Sequence, residues 1–190
     1  MKKDIILSGV GGQGILSTAA IIGLAAVANG LFVKQAEVHG MSQRGGAVQS
    51  HLRISSKEIA SDLIPLGEAD MILSVEPMES LRYLPFLSYD GWIITNTVPF
   101  VNIPNYPDLE TLLNQIRSYK NVVAIDADET AKKIRASKSS NVVLLGAASS
   151  HLDIPYEKLE DGIRSLFKSK GDDVVNTNLS ALRAGAGLLI

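Results

Sequence analysis

A chain of 190 residues, 46% of them apolar, has the length of one α/β domain and enough apolar side chains for a sizeable core. Its 18 basic and 20 acidic residues leave a net charge of −2, which gives no support for nucleic-acid binding through a broad basic face. No apolar run has the length of a membrane span, and the absence of cysteine excludes disulfides, thiolate-held iron–sulfur clusters and a cysteine nucleophile.

The opening Met1-Lys2-Lys3-Asp4 runs directly into an apolar strand, with no signal peptide before it, so a cytoplasmic protein is expected. That strand, Ile5 to Leu7, meets glycines at Gly9, Gly11 and Gly14, and an apolar helix begins at Ile15. The run Gly9-Val10-Gly11-Gly12-Gln13-Gly14 matches G-x-G-x-x-G in its required place, between a strand and a helix. Gly9 is expected to allow the sharp turn off the strand and Gly11 the close approach of a phosphate or a backbone. Gly14 is expected to let the helix pack close to the strand. The first helical N–H groups favour an anion.

The helix is expected over Ile15 to Ala28, kept thin by Ala19, Ala20, Gly23, Ala25 and Ala26. Such a helix lies against its own sheet, or between the sheet and another subunit. Asn29-Gly30 ends it. Leu31-Phe32-Val33 reads as a short second strand. A nicotinamide-binding domain wants an acid about 20 residues past the glycines for the ribose hydroxyls. Lys34 and Gln35 stand there, with Glu37 displaced. This argues against NAD, although a lysine suits the phosphate of NADP.

The segment Glu37 to Gly46 has neither helical nor strand periodicity. His39, Ser42, Gln43, Arg44 and Gly45 make it a polar loop of the kind that meets ligands at strand ends, with Arg44 suited to a carboxylate or phosphate. The competing reading is a solvated loop with an Arg salt bridge. Ala47 to Ile54 alternates: Val48, Ser50, Leu52 and Ile54 form one face, Gln49, His51 and Arg53 an exposed one. His51 is therefore expected at the surface.

Ala69 to Val75 reads as a buried parallel strand, and Glu76-Pro77 opens a helix that ends near Pro85. Glu76 is either a base or a residue placed for the helix dipole. Gly91 to Asn96 is another strand, whose Thr95-Asn96-Thr97 end faces the glycine crevice. After a proline-rich connection come a helix over Leu109 to Tyr119 and a strand over Val122 to Asp126. Asp128 is expected to cap a helix from Glu129 to Arg135, with a carboxylate pair Asp126–Asp128 as the alternative. Asn141 to Ser150 is too uniformly apolar for periodicity to decide, and its small residues favour a helix. Pro155 to Ser169 and Val174 to Leu189 are helical, with Ala184 to Gly187 small enough for close packing.

Alternating strands and helices imply an α/β, Rossmann-like single domain: a mainly parallel sheet with helices on both faces. There is no nucleophile elbow, Walker loop or metal-ligand spacing, and His39, His51 and His151 are scattered. The chain has a binding crevice and no catalytic set of its own, as expected of a subunit that completes another chain's site.

Two stretches, Gly9 to Gly14 and Val38-His39-Gly40-Met41-Ser42-Gln43-Arg44-Gly45-Gly46, resemble the small, gamma-type subunit of 2-oxoacid:ferredoxin oxidoreductases, above all the indolepyruvate enzymes. The likeness runs on through Ala69-Asp70, Asn141 to Ala147 and Val174 to Asn178, so residues 1–190 are expected to form one pyruvate/ketoisovalerate ferredoxin oxidoreductase gamma-type domain. It implies CoA-dependent oxidative decarboxylation of a 2-oxoacid, with electrons to ferredoxin. It places thiamine diphosphate, Mg2+ and 4Fe-4S clusters on a large partner subunit, with coenzyme A as co-substrate and no cofactor on this chain alone. It makes Gly9, Gly11, Gly12, Gln13, Gly14, His39, Ser42, Gln43, Arg44 and Gly45 the walls of the cofactor site. The competing readings are a free-standing NAD(P)-dependent Rossmann oxidoreductase and a non-catalytic scaffold.

Overall fold

The computed structural model describes residues 1–39, 45–101 and 103–189. In chain order these form β1 (Lys2–Val10), α1 (Ile15–Ala28), β2 (Phe32–His39), β3 (Ala47–Ser55), β4 (Ala69–Ser74) and α2 (Pro77–Arg82). Then follow β5 (Leu87–Asn96), α3 (Leu109–Arg117), β6 (Val122–Ile125), α4 (Ala127–Lys133), α5 (Ser140–Ala148), α6 (Tyr156–Phe167) and α7 (Asp172–Ala186).

The described strands make one six-stranded sheet in the order β2-β3-β1-β4-β5-β6. β1, β4, β5 and β6 are parallel neighbours, while β3 is antiparallel to both β1 and β2. The mainly parallel α/β sheet is as expected. The second strand differs from expectation: it runs eight residues to His39, taking in Glu37 and Val38, which the sequence placed in the loop. Pairing with β3 decides this. Lys34 lies opposite Arg53 and Glu37 opposite Ser50, so ladder hydrogen bonds hold a stretch whose composition gives no strand signal.

Helices cover both faces, unequally. α1 and α5 lie on one face with α6 and α7 outside them, and all four share a core with Ile5, Leu7, Leu52, Leu73 and Ile94. The other face carries the smaller clusters around Ile6 and Ile72 and around Ile93, Leu112 and Ile116.

The helical reading of the uniformly apolar segment is correct. α5 has the sheet on one side and α7 on the other, so apolar residues are favourable all round it. Gly146 and Gly185 allow the close crossing: a Cβ on Gly146 would stand 2.1 Å from the Leu182 carbonyl oxygen, and one on Gly185 1.8 Å from that of Val143. The small residues of α1 serve the domain itself. A Cβ on Gly162 of α6 would stand 2.6 Å from the Ile21 carbonyl oxygen.

The outer face of β3 is not exposed. His51 is buried, its Nδ1 accepting the Ile64 N–H at 3.0 Å, with the Phe86 ring edge-on to it. Arg53 holds the buried Asp4 through Nε (2.8 Å) and Nη2 (3.0 Å), and donates to the Ser61 and Leu63 carbonyls. The segment after β3 folds back over these residues. A period of two marks which residues share a face, not what that face meets.

Candidate functional site

The crevice forms where β1 and β4 part company. The chain leaving β1 turns into α1 on one face of the sheet, and the chain leaving β4 turns into α2 on the other. The carboxyl ends of two parallel strands so divided leave a cleft in which α/β proteins bind ligands. Here it is a cavity of about 400 Å³ lined by Gly12, Gln13, Gly14, Phe100, Asp128 and Asn141, among others. A second, of about 440 Å³, continues past Gly14 and Asn141 toward Ser139, Lys138 and the start of α7.

The glycine turn is closed from within. Val10 N–H donates to Gln13 Oε1 at 2.7 Å, and Gln13 N–H donates to the Val10 carbonyl at 3.1 Å. Gln13 therefore shapes the turn as well as lining the cavity. Two glycine roles differ from expectation. Gly9 is still within β1, opposite Val48, and a Cβ there would stand 2.9 Å from Gln13 Oε1 and Ile15 Cδ1. Its task is to leave room for the turn to fold back. Gly14 caps α1 at φ 79°, and a Cβ on it would stand 2.7 Å from Asn141 Nδ2. The close approach is to α5, not to the strand.

Gly11 meets a backbone. Its N–H donates to the Gly46 carbonyl at 2.9 Å, and its own carbonyl accepts the Gly45 N–H at 3.4 Å. The glycine turn and the distal end of the β2–β3 connection are thus one unit, as neighbours of the same crevice. The sites expected at Ser42, Gln43 and Arg44, and the side chain of His39, lie outside the described residues; the backbone of His39 ends β2 opposite Val48, at the same edge as Gly9.

Three polar residues complete the site. Asn141 Nδ2 donates to the Gly14 carbonyl (3.1 Å) and to Thr18 Oγ1 (3.2 Å), tying the first turn of α5 to that of α1. Asn96, buried at the end of β5, donates to Asp128 Oδ2 at 2.6 Å and accepts the Ala127 N–H at 3.0 Å. It braces the crevice from below, where the sequence expected it to face in. Asp128 is not the cap of α4. That is Asp126, whose Oδ1 accepts the Glu129 N–H at 2.7 Å. The two carboxylates have separate partners and form no pair.

Glu76 caps α2 and is wholly buried. Its carboxylate accepts the Glu79 N–H at 2.8 Å, the Phe100 N–H at 3.3 Å and the Tyr106 hydroxyl. It pins the proline-rich connection that carries Phe100 to the cavity. Burial and the Glu76 carboxylate push the Tyr106 phenol well above its ordinary range, so it stays protonated and donating. Of the two roles the sequence left open for Glu76, the structure shows the one at the helix start.

Sequence reasoning passed over Asn141, Lys138 and Ser139. The signal was present: Lys138-Ser139-Ser140-Asn141 stands immediately before an apolar run, the composition of a helix start. Among the described residues no group of three or more His, Cys, Asp or Glu is placed to hold a metal ion, and no helix is long and apolar enough to cross a membrane.

The topology also bears on dinucleotide binding. In a dinucleotide domain the strand carrying the ribose-binding acid pairs directly with the first strand. Here β3 lies between β1 and β2, so Glu37 stands two strands away from the glycine turn.

The pyruvate ferredoxin/flavodoxin oxidoreductase family matches residues 4–188. The indolepyruvate oxidoreductase subunit IorB of Archaeoglobus fulgidus is 38% identical over 194 residues, covering 97% of this chain and 94% of that one. The 2-oxoglutarate:ferredoxin oxidoreductase of Magnetococcus marinus, solved with 2-oxoglutarate, coenzyme A and succinyl-CoA bound, shares the fold at TM-score 0.77 and 24% identity; the likeness covers 98% of this chain and 31% of that one. The keto/oxoacid ferredoxin oxidoreductase gamma subunit of Geobacter sulfurreducens shares it at TM-score 0.72 and 22% identity, over 97% of this chain and 94% of that one. The glycine turn, the sheet built around it and these relatives agree: the chain belongs to the pyruvate ferredoxin/flavodoxin oxidoreductase family, as the small subunit of a 2-oxoacid:ferredoxin oxidoreductase.

Proposed function

We propose that residues 1–190 act as one gamma-type domain in a cytoplasmic enzyme that oxidatively decarboxylates an aryl pyruvate, indolepyruvate first among them, to an acyl-CoA. The substrate class rests on the likeness to the IorB subunit. A larger partner subunit holds thiamine diphosphate, Mg2+ and 4Fe-4S clusters. Bound there, thiamine diphosphate supplies the electron sink for loss of CO2, and the clusters carry the electrons to ferredoxin. With no cysteine, this chain has no thiolate to hold such a cluster.

The observation that carries the reading is the backbone pairing of Gly11 with Gly45 and Gly46. It ties Gly45 and Gly46, the last residues of the second motif, to the glycine turn, and on our reading both conspicuous motifs serve one wall. That wall faces the partner, excludes water from its site and positions coenzyme A. In this arrangement Arg44 meets an anion, either a CoA phosphate or a partner carboxylate.

Coexpression with a large subunit of the same enzyme and an assay of CoA-dependent ferredoxin reduction test this. Indolepyruvate should be turned over in preference to 2-oxoglutarate. Arg44→Ala should raise the KM for coenzyme A about tenfold or more, or weaken assembly by as much, through loss of a charge-assisted contact. Normal assembly with normal kinetics for both substrates would remove Arg44 from the site. Binding of thiamine diphosphate, or tight binding of NADH, by the small chain alone would overturn the division of labour.

A further inference from the structure

The sheet is open at its β2 edge. Among the described residues no strand lies beyond β2, which pairs with β3 along its whole length of eight residues without a register break. Soluble proteins blunt such an edge with charges, a proline, a bulge or a cover. This one carries one lysine, one glutamate and no proline, and it shows two exposed apolar side chains on one face, Phe32 (51%) and Val38 (57%). The helix above it extends the apolar surface. A Cβ on Gly23 would stand 3.8 Å from Val33 Cγ1, so that flank of α1 is turned toward β2. Helical spacing puts Leu16, Ala20 and Val27 on the same flank, with Leu16 and Val27 exposed, while α6 takes the other flank at Ile21 and Ala25. An open strand beside an exposed apolar helix flank suits an added strand that brings a helix of its own.

We propose that β2 pairs with β2 of a second copy of this chain, antiparallel, about a two-fold axis through Gln35. An axis normal to the sheet keeps the side chains of one face together, so the register centres on a residue and not between two. Centred on Lys34 or Glu37, the pairing sets like charges directly opposite, which is destabilising. Centred on Ala36, it sets Phe32 opposite a position past the end of β2 at His39. Centres nearer either end shorten the ladder. Centred on Gln35, it sets Phe32 opposite Val38 of the second copy, twice per dimer, and Lys34 opposite Ala36, with the Lys34 ammonium drawn aside to the Ala60 carbonyl at 3.2 Å. The same axis lays the two α1 flanks side by side on one face, where Ala20 and Gly23 let the helices come close. One strand edge and one helix flank per copy is a small interface, so a dimer that dissociates at micromolar concentration is expected. β3 stands between this edge and β1, where the crevice begins, and the pairing is independent of the oxidoreductase reading.

Analytical ultracentrifugation of the full chain over a concentration series tests this. A reversible monomer–dimer equilibrium is expected. Phe32→Glu and Val38→Lys, both at exposed positions and so without effect on the circular dichroism spectrum, should each weaken the dimer about tenfold or more, since the apolar pair they remove occurs twice. Combined in one chain, the two substitutions set opposite charges across the axis and should recover most of the loss, with a dimer that weakens as salt is added, unlike the original. A monomer at every concentration, single variants that dimerise normally, or a double variant as weak as the singles would overturn the proposal. A chain that is monomeric alone, and whose single variants lose a coexpressed large subunit, would assign the edge to that partner instead of a second copy.

Discussion

At Gly14 two constraints coincide. Its φ of 79° suits glycine, and Asn141 Nδ2 occupies the space a Cβ would need. Gly14→Ala should destabilise the chain by about 2 kcal/mol, measured by urea unfolding, and should move the first turn of α5 as well as that of α1. His51 gives a pH dependence. Burial first, and then the Arg53 charge, hold its imidazole below the ordinary histidine range, with Asp62 opposing weakly. Its Nδ1 accepts the Ile64 N–H, so the proton of the neutral ring is on Nε2, beside the Gln49 amide. The unfolded chain takes up the second proton at a higher pH than the folded one. The stability this residue contributes is therefore complete above the unfolded value, about 6.5, and is lost as pH falls from there through the folded value. Unfolding midpoints at pH 7.5 and 5.5 should differ less in His51→Gln than in the unaltered chain.

Among the elements, α5 and α7 set the tightest tolerance. Val143 and Gly185 touch through backbone, and no rotamer change relieves a Cβ placed 1.8 Å from a carbonyl oxygen. Gly185→Ala should cost more than about 3 kcal/mol, beyond ordinary overpacking, while Gly30→Ala, with nothing within 4 Å, should show only the strain of its positive φ, about 1 kcal/mol. Comparing the two by chemical denaturation separates helix crossing from backbone conformation. β2 makes the complementary point. Its length is set by β3, and the antiparallel β2–β3 pair carries the glycine-rich connection back to Gly11. Strand pairing thus brings Gly45 and Gly46 to the glycine turn.

Over the whole molecule, one core joins four helices and the sheet. α5 is sealed by α7, and α1 by α6. Removing residues 156–190 would leave two helices that are apolar all round facing water. Such a truncated chain should show no cooperative unfolding and should aggregate on size-exclusion chromatography, whereas the full chain should unfold in one transition. The crevice depends on the same unity. Its wall residues come from the glycine turn after β1, the proline-rich connection, α4 and α5, distant in the chain and brought together at the ends of parallel strands.

The amino-acid order by itself determined the α/β alternation, the strand–turn–helix at Gly9 to Gly14, most element boundaries, and the family. These follow from local chemistry: glycine at special backbone positions, apolar periodicity, and residue runs specific enough to identify. Tertiary structure alone decided that β2 extends to His39, that His51 is buried and Arg53 is paired with buried Asp4, that Asp126 and not Asp128 caps α4, and that Asn141 sits between two helix starts. Each of these turns on a partner far away in sequence: a neighbouring strand, a segment folding back, an asparagine competing for a carboxylate. Local pattern reports what a residue prefers, and only packing settles which preference is met.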